Sequence, residues 1–455
     1  MGEKDNLSER IGLCFKPNDV RCVAGVELDE EIVYRTAKAF VFFLKAKEII
    51  LGHDMRISSL KLKKAFVKGA LEQGVKVIDI GEIDSPGLYF ASGFFKKPAA
   101  MITASHNPAK YNGIKLTKEN ATPIGKNSGL KKIKTFVEKN KFPKVKTKGK
   151  IVRKNIFSEY RNHVRSFVDS GKIGNLKVVI DGGNGMTGRV IPKIYDGLKV
   201  KVVRLDFKLD GNFPNHEANP AKPENIKDLR RVVVKKKADL GIAFDGDMDR
   251  VFFVDEKGRA VSASVIAALI AKHLCLKHKE KIVYNVVMLK VVSEIIMEYG
   301  GVSIREKVGH SFIKSRMKKE KAVFGCEHSA HYYYKNNFYV DSGIITSLKI
   351  LEIASLAKQK GKKFSEILRE FQVYSQTPEI SVKVKDKEMI LRKVEKRYKK
   401  IARRVDKMDG LTLEFDDWWF NVRASNTEPL LRINAEARDK KILKGKLNDL
   451  IKIIK

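Results

Sequence analysis

The sequence predicts an α/β protein. Three successive βαβαβ domains, each a mixed or parallel sheet with covering helices, precede a smaller C-terminal α+β domain. Two observations carry this reading. Strand-like apolar runs alternate with helix-period segments over the first three quarters of the 455 residues. In each of three such units a polar cluster stands just past the third strand, which is where open α/β sheets place ligands.

In the first unit, Glu48 to Leu51 reads as a strand. Ser59 opens a helix with Leu62, Phe66 and Ala70 on one face, Gly74 ends it, and Val75 to Ile80 is the next strand. Leu88 to Phe95 gives a short helix, and Ala99 to Thr103 a third strand that runs into Ser105. The second unit has strands at Lys177 to Ile180, Val200 to Leu205 and Asp239 to Phe244, with a helix from Ile226 to Lys237. The third has strands at Lys281 to Val287, Val302 to Arg305 and Ala322 to Phe324, with helices at Val291 to Tyr299 and Ser311 to Lys319. The remainder reads as strand from Ile380 to Val384, helix from Lys387 to Val405, and paired strands at Trp419 to Val422 and Leu430 to Ala435. The units do not recur at a fixed period, so they are domains and not turns of a solenoid. The basic run Lys139 to Lys150, with Pro143 inside it, reads as a solvated linker. The expected boundaries are 1–150, 151–257, 258–372 and 373–455.

Ninety-one Lys and Arg face 54 Asp and Glu, a formal net charge of +37. Such a balance raises nucleic acid as a partner. Against that, the lysines are spread along the whole chain with no repeated basic-plus-aromatic pattern, and a positive field also steers anionic small molecules. The four cysteines, at 14, 22, 275 and 326, form no Cys-x-x-Cys pair, which fits a reducing compartment. The first residues carry no apolar h-region, and the most apolar stretch, Val265 to Leu276, is broken by Lys272 and His273. The expectation is a cytoplasmic chain without a membrane span.

Four polar clusters carry the chemistry. The first is Thr103-Ala104-Ser105-His106-Asn107-Pro108, followed by Tyr111-Asn112-Gly113-Ile114-Lys115. A serine after a buried strand serves as a nucleophile when a neighbour activates it, with His106 and Lys115 as proton carriers; the same residue types also make an ordinary turn. The second is Asp245-Gly246-Asp247-Met248-Asp249-Arg250, three alternating carboxylates whose mutual repulsion calls for a cation. Oxygen-only ligands point to Mg²⁺ or Ca²⁺. An EF-hand is excluded, because Arg250 stands at its glycine position and the flanks are strand-like. Mg²⁺ joined by a phosphate oxygen is the better reading. The third is Gly325-Cys326-Glu327-His328-Ser329-Ala330-His331, suited to hydroxyl groups, with Gly309-His310-Ser311 nearby at a helix start that attracts phosphate or is simply capped by Ser311. The fourth is Arg423-Ala424-Ser425-Asn426-Thr427-Glu428-Pro429, where the Arg fork and small polar residues can form an anion nest.

These four clusters, in this order and over nearly the whole chain, resemble the α-D-phosphohexomutase superfamily, and within it the bacterial phosphomannomutase/phosphoglucomutase branch. Gly52-His53-Asp54-Met55-Arg56-Ile57-Ser58-Ser59 and Asp210-Gly211-Asn212-Phe213-Pro214-Asn215-His216-Glu217 are weaker matches. The resemblance implies four domains around a central cleft and an intracellular enzyme moving a phosphoryl group between two positions of a hexose phosphate. It makes Ser105 the phosphoserine and a ligand of Mg²⁺ together with Asp245, Asp247 and Asp249. It sets Arg21 and Arg250 against the transferring group and gives the hydroxyl proton to His106 and Lys115. Gly309, His310, Glu327, Ser329 and His331 would hold the sugar and its phosphate, with Arg423, Ser425, Asn426 and Thr427 on the phosphate that is not reacting. A hexose 1,6-bisphosphate would be intermediate and activator. Asn18-Asp19-Val20-Arg21-Cys22 departs from the usual Tyr-Asp-Ile-Arg-Gly, and Val287 stands where relatives often carry Lys. Asn426, and Tyr111 before Asn-Gly, favour the mannose/glucose branch over phosphoglucosamine mutases. The rival of another class is a basic nucleic-acid-binding relative, against which the intact Ser105, the three Asp and Arg250 stand.

Overall fold

The computed structural model describes residues 3–425 and 429–454. The chain groups into two compact units, Met1–Val261 with His331–Phe364, and Ser262–Ala330 with Ser365–Lys455.

The first unit holds two sheets. One runs Val20–Val23, Tyr111–Thr117, Ala99–Ile102, Glu48–His53, Lys76–Glu82, Ile151–Arg153. Its pairs are parallel from Ala99–Ile102 outward to Ile151–Arg153, and antiparallel on the other side. Ile151–Arg153, just past the basic linker, is therefore an edge strand of this sheet. The other sheet runs Ala260–Val261, Val251–Asp255, Leu240–Phe244, Gly174–Asp181, Lys199–Leu205, parallel among the last three and antiparallel elsewhere. The antiparallel returns make both sheets mixed: Tyr111–Thr117 and Val251–Asp255 double back directly after the polar loops.

In each sheet an entirely buried apolar strand leads into the chemistry. Ala99–Ile102 precedes Ser105, and Leu240–Phe244 precedes Asp245. A strand covered on both faces reads as an unbroken apolar run, which is why both were visible in the sequence. The covering helices are capped as their sequences dictate. Asp29 accepts from the Ile32 N–H at 3.0 Å to start Glu30–Leu44, with Glu30 and Glu31 in its first turn. Pro86 sits in the first turn of Ser85–Phe95, which therefore begins three residues before the Leu88 expected from the sequence; proline is tolerated there because its missing N–H would be unpaired anyway. Glu3–Cys14, Val20–Val23 and Glu30–Leu44 had no assignment from the sequence.

Tyr332–Tyr334 and Val340–Asp341 form an antiparallel pair that leads into the helix Gly343–Gln359, capped by Ser342. A Cβ on Gly343 would come 2.8 Å from the Met248 carbonyl oxygen and 3.0 Å from that of Arg250. Glycine is what lets this helix start against the acidic loop.

In the second unit, Val302–Glu306, Lys281–Asn285 and Phe324–Cys326 are neighbouring parallel strands. The C-terminal sheet is antiparallel: Ser375–Gln376, Leu430–Ala437, Trp418–Ala424, Leu411–Glu414, Arg404–Asp406, with Ile380–Lys383 also on Leu430–Ala437. Two expectations change here. The helix begun at Lys387 stops at Tyr398, and Arg404–Asp406 is a strand. Ile390, Val394 and Tyr398 keep one buried face, but of the positions that would continue it Ile401 is 68% exposed and only the small Ala402 returns to the core, so little rewards another turn. The helix His310–Glu320 starts one residue early, with Gly309 at its cap at φ 133°, so Ser311 lies inside the first turn and is not the cap. No helix among the described residues is long and apolar enough to cross a membrane.

Candidate active site

Ser105 sits in the left-handed region, φ 52°, unusual for a residue with a side chain and costing about 1–2 kcal/mol. Its neighbours impose that conformation. Its N–H donates to Thr103 Oγ1 at 2.9 Å. Arg56, 2% exposed, donates to the carbonyls of Ser105 (2.7 Å), Asn107 (2.6 Å), Pro108 (2.9 Å) and Tyr111 (3.0 Å). Asp54 lies 3.3 Å from Arg56 Nε, and the Phe213 ring centroid is 5.0 Å from the guanidinium. Burial lowers the Arg56 pKa against the pull of Asp54, yet a guanidinium keeps its proton. One buried cation thus gathers a whole loop by its carbonyl oxygens and presents the serine hydroxyl outward from the sheet.

The Ser105 hydroxyl donates to Asp245 Oδ2 at 2.9 Å and lies 3.2 Å from His106 Nδ1. The approach is close: a Cβ on Gly246 would stand 2.5 Å from the Ser105 carbonyl oxygen, so only glycine fits between Asp245 and Asp247. Asp245, Asp247 and Asp249 are all buried, with a ligand atom from each within 4.8 Å of the others. Arg250 closes the turn, donating from its backbone N–H to Asp245 Oδ1 and from Nε to Oδ2, both at 3.1 Å. Lys115 Nζ is 2.7 Å from both Asp247 Oδ2 and Asp249 Oδ2. Ser85, at the start of a helix, adds its hydroxyl to Asp247 Oδ2 at 2.5 Å and its N–H to the Asp247 carbonyl at 3.0 Å.

The charge states follow from this crowding. Burial, then Asp249, pushes the Asp245 carboxyl up to about 7 against Arg250. Burial also works on Asp249, but Lys115, then His331 and Arg250, outweigh it and hold it well below the ordinary range. Burial would lower Lys115, but Asp247 and Asp249 outweigh it and keep the ammonium well above its usual value, so Lys115 is a charged donor and not a base. His106 is driven well below its usual value, first by burial and then by Arg250 and Arg21, and is neutral at pH 7. Arg21 donates to Asn107 Oδ1 at 2.8 Å and the Ala104 carbonyl at 3.3 Å and is paired with Asp19. His331, expected beside the sugar, stands next to the acidic loop, Nε2 being 3.5 Å from Asp249 Oδ1 and 3.8 Å from Asp341 Oδ2.

The residues fit a hard divalent cation. The donors are all carboxylate oxygens, and Asp247 Oδ1 is buried without a hydrogen-bond partner.

The second unit assembles another part of the predicted set. Glu327, 3% exposed, accepts from the Gly309 N–H at 2.9 Å and from Asn285 Nδ2 at 3.3 Å. Asn285 Nδ2 lies 3.2 Å from His328 Nδ1, and His328 Nε2 is 3.9 Å from Glu379. Glu379 binds Arg423 NH2 at 2.6 Å, Arg432 NH1 at 3.1 Å and Asn434 Nδ2 at 3.4 Å. The Gly309 turn, the Glu327 loop and Arg423 therefore share one polar network. His310 opens the helix behind Gly309, and Ser329 is half-buried in the Glu327 loop. Ser425 is buried, its carbonyl accepting from Lys387 Nζ at 2.9 Å. Asn426 and Thr427 lie outside the described residues. Val287 is fully buried and brings no charge to this unit.

Burial would raise Glu379, but Arg423, His328 and Arg432 outweigh it and lower its pKa. A depressed carboxylate stabilises the fold above its unfolded pKa, and that contribution disappears as pH falls through the folded one. Glu379→Gln is expected to cost about 2 kcal/mol at pH 7, by leaving two arginines unpaired. In denaturant unfolding at pH 7 and pH 3, the gap to wild type should be present in the first and small in the second.

Arg56, Ser85 and Glu379 were not read as site residues. Arg56 lay within a polar run already noted, so a signal existed. Ser85 and Glu379, each beside a proline, carried none.

Family models described as phosphoglucomutase/phosphomannomutase domains I, II and III, each alpha/beta/alpha, match residues 12–144, 158–258 and 263–374. The C-terminal domain model of the same family matches residues 379–452. The four-domain α/β architecture expected from the sequence is therefore present. The chain is 38% identical to a phosphomannomutase of Vibrio cholerae, over 97% of this chain and 98% of that protein. It is 35% identical to one of Methanocaldococcus jannaschii, over 97% of each. A crystal structure of a phosphoglucomutase/phosphomannomutase family protein from Burkholderia thailandensis superposes with a TM-score of 0.88 at 27% identity, covering 97% of this chain and 96% of that one.

Proposed function

The chain belongs to the phosphoglucomutase/phosphomannomutase family and is a phosphohexomutase, and from that premise we propose that it interconverts the 1- and 6-phosphates of mannose and glucose through phospho-Ser105. The observation that carries this is the Ser105 hydroxyl donating to Asp245, with Asp247 and Asp249 beside it. The neutral His106 and the cations Lys115, Arg21 and Arg250 surround the same loop.

Phosphoryl transfer asks for in-line positioning and neutralised charge more than for covalent ingenuity. Asp245, Asp247 and Asp249, with the phosphoserine, would hold Mg²⁺. When bound, Mg²⁺ supplies positive charge against the phosphoryl oxygens. In the first transfer the bond from Ser105 Oγ to phosphorus breaks as the sugar hydroxyl oxygen bonds to phosphorus, and the hydroxyl proton passes to His106. His106 suits this because its imidazole is neutral at pH 7. Lys115 and Arg250 face the developing charge as fixed cations, and Arg21 supports the turn at Asn107. His106 then gives that proton to the departing Ser105 oxygen, and in the return transfer the Ser105 hydroxyl attacks the other phosphorus of the hexose 1,6-bisphosphate while its proton passes back through His106 to the sugar oxygen that leaves. Gly309, His310, Glu327, Ser329 and Arg423 are assigned to the sugar and its second phosphate. His331, given its place by Asp249, belongs with the transfer residues. The four cysteines are buried thiols, in keeping with work in the cytoplasm.

The test compares turnover of mannose 1-phosphate, glucose 1-phosphate and glucosamine 1-phosphate, with Mg²⁺ and a trace of hexose bisphosphate. We expect the first two to exceed the third by about tenfold or more in kcat/KM, the scale of one lost hydroxyl contact. Preference for the amino sugar would move the protein to the phosphoglucosamine branch.

A further inference from the structure

His216 lies outside the transfer site, in the run Asp210 to Glu217 that no step above uses. Its two ring nitrogens both face acceptors. Nδ1 is 2.9 Å from the Glu217 carbonyl oxygen. Nε2 is 3.3 Å from both oxygens of Asp181, its hydrogen bond being with Oδ1, and 3.5 Å from Asp206 Oδ2. A neutral imidazole has one N–H, so it would turn a lone pair toward a carbonyl or toward two carboxylates. An imidazolium turns one N–H to the carbonyl and the other to the two carboxylates. Asp181 is 1% exposed, its Oδ1 also accepts from the Gly183 N–H at 2.9 Å, and its Oδ2 is buried with no hydrogen bond.

The ring joins two loops that grip the middle of the acidic turn. Asp181 ends the interior strand Gly174–Asp181 and begins the loop to Met186, whose N–H donates to the Gly246 carbonyl at 2.9 Å. Asp206 and His216 belong to the following loop, in which the Ala218 carbonyl accepts from the Gly246 N–H at 3.2 Å. Gly246, between Asp245 and Asp247, therefore hangs by both of its backbone groups from loops that meet at His216. A Cβ on Gly183, at φ +49°, would lie 3.3 Å from His216 Cε1, so the ring leaves little room for any residue but glycine in this turn.

We infer that His216 is a positioning residue, a half-buried imidazolium clamp between Asp181 and Asp206 that keeps Gly246, and with it Asp245 and Asp247, in the arrangement that binds Mg²⁺. The Mg²⁺ readout rests on the reading proposed above, whereas the protonation state of the ring does not. The charged groups around the clamp agree. Asp181 faces it from the strand and Asp206 from the second loop. Asp228, on the helix Lys227–Lys235, acts on Asp206, and the Glu217 carboxylate is taken by Lys222. The hydrogen bond to Asp181 raises His216 to about 9. A histidine raised in the folded state contributes stability that is complete below its unfolded pKa and lost as pH rises through the folded one. The clamp is thus closed at neutral pH and opens near pH 9.

The test has two arms. In ¹⁵N-histidine-labelled protein, the ring signal that disappears in His216→Gln should be doubly protonated at pH 7.5 and should titrate near pH 9. By calorimetry, His216→Gln should weaken Mg²⁺ binding about tenfold, as loss of a group supporting metal ligands does. Wild type should approach the variant's affinity at pH 9.5 while the variant stays flat from pH 7.5 to 9.5. A neutral ring at pH 7.5, or unchanged Mg²⁺ affinity in the variant, overturns the clamp. So does one equivalent of Zn²⁺ bound to wild type and lost in the variant, which would make Nε2 a metal ligand. If His216→Gln does not fold, assignment by His216→Asn and the wild-type titration decide. If wild type binds no Mg²⁺ but the ring is charged, the metal reading fails and the ion-paired imidazolium stands.

Discussion

Ser105→Ala is expected to lower mutase turnover by about 10⁴-fold or more, the scale of losing a nucleophile that works as part of a unit. The reaction needs an atom that holds the phosphoryl group between two transfers, and the Ser105 hydroxyl, donating to Asp245 at 2.9 Å beside His106, is the one offered. Alanine keeps the backbone contacts that define the loop. The four carbonyls bound by Arg56 and the Thr103 cap do not involve the hydroxyl, so the variant should fold and melt close to wild type. Two measurements check this together. Coupled mutase assays with hexose bisphosphate should show no turnover by the variant above the blank. Intact-protein mass spectrometry after incubation with hexose 1,6-bisphosphate should show one phosphoryl group on wild type and none on the variant. Residual turnover near wild type would remove Ser105 from the mechanism.

Asp247→Asn is expected to cost about 10²–10³-fold in kcat/KM. Asparagine is nearly the same size but neutral. Asp247 Oδ2 receives Lys115 and Ser85, while Oδ1 is buried with no partner, the arrangement expected of an oxygen reserved for a cation. A second readout separates loss of metal from loss of fold. Mg²⁺ stabilises a protein that binds it only when folded, by an amount that grows with the logarithm of its concentration. Thermal unfolding of wild type should shift upward across a Mg²⁺ series, and that of Asp247→Asn should not. Near-normal turnover in the variant, with an intact Mg²⁺ shift, would overturn the metal assignment.

Much of the site was legible because its two central loops share one construction. Ala99–Ile102 and Leu240–Phe244 are short, wholly apolar runs, and each stops abruptly at polar residues. That contrast survives in one dimension, and the rule that ligands gather past such strand ends turns it into a location. The C-terminal helix was less legible. Val405 continues an apolar pattern, but whether Ile401 faces core or solvent depends on the sheet beneath, which the local sequence does not contain. Arg56 shows the same limit within the site. Its role depends on four carbonyl oxygens of residues 105–111, some fifty positions later, and backbone carbonyls leave no signature in a sequence. Asp181 and His216 stand 35 residues apart, with nothing in the sequence to connect them.

The sequence by itself determined the α/β class, the succession of buried strands and polar loops, and the chemical types available: a serine, three carboxylates, an imidazole, and arginines for phosphate. These follow from hydrophobic period and residue identity, which are local properties. Only the tertiary structure decided the charge each group carries and the partner it serves. It made Lys115 a permanent cation between Asp247 and Asp249, His106 a neutral imidazole, and Asp245 a carboxyl raised to about 7, and it put His331 at the side of Asp249. The reason is physical. Desolvation and Coulomb interactions act through space over a few ångströms, and folding sets those distances between residues far apart in the chain.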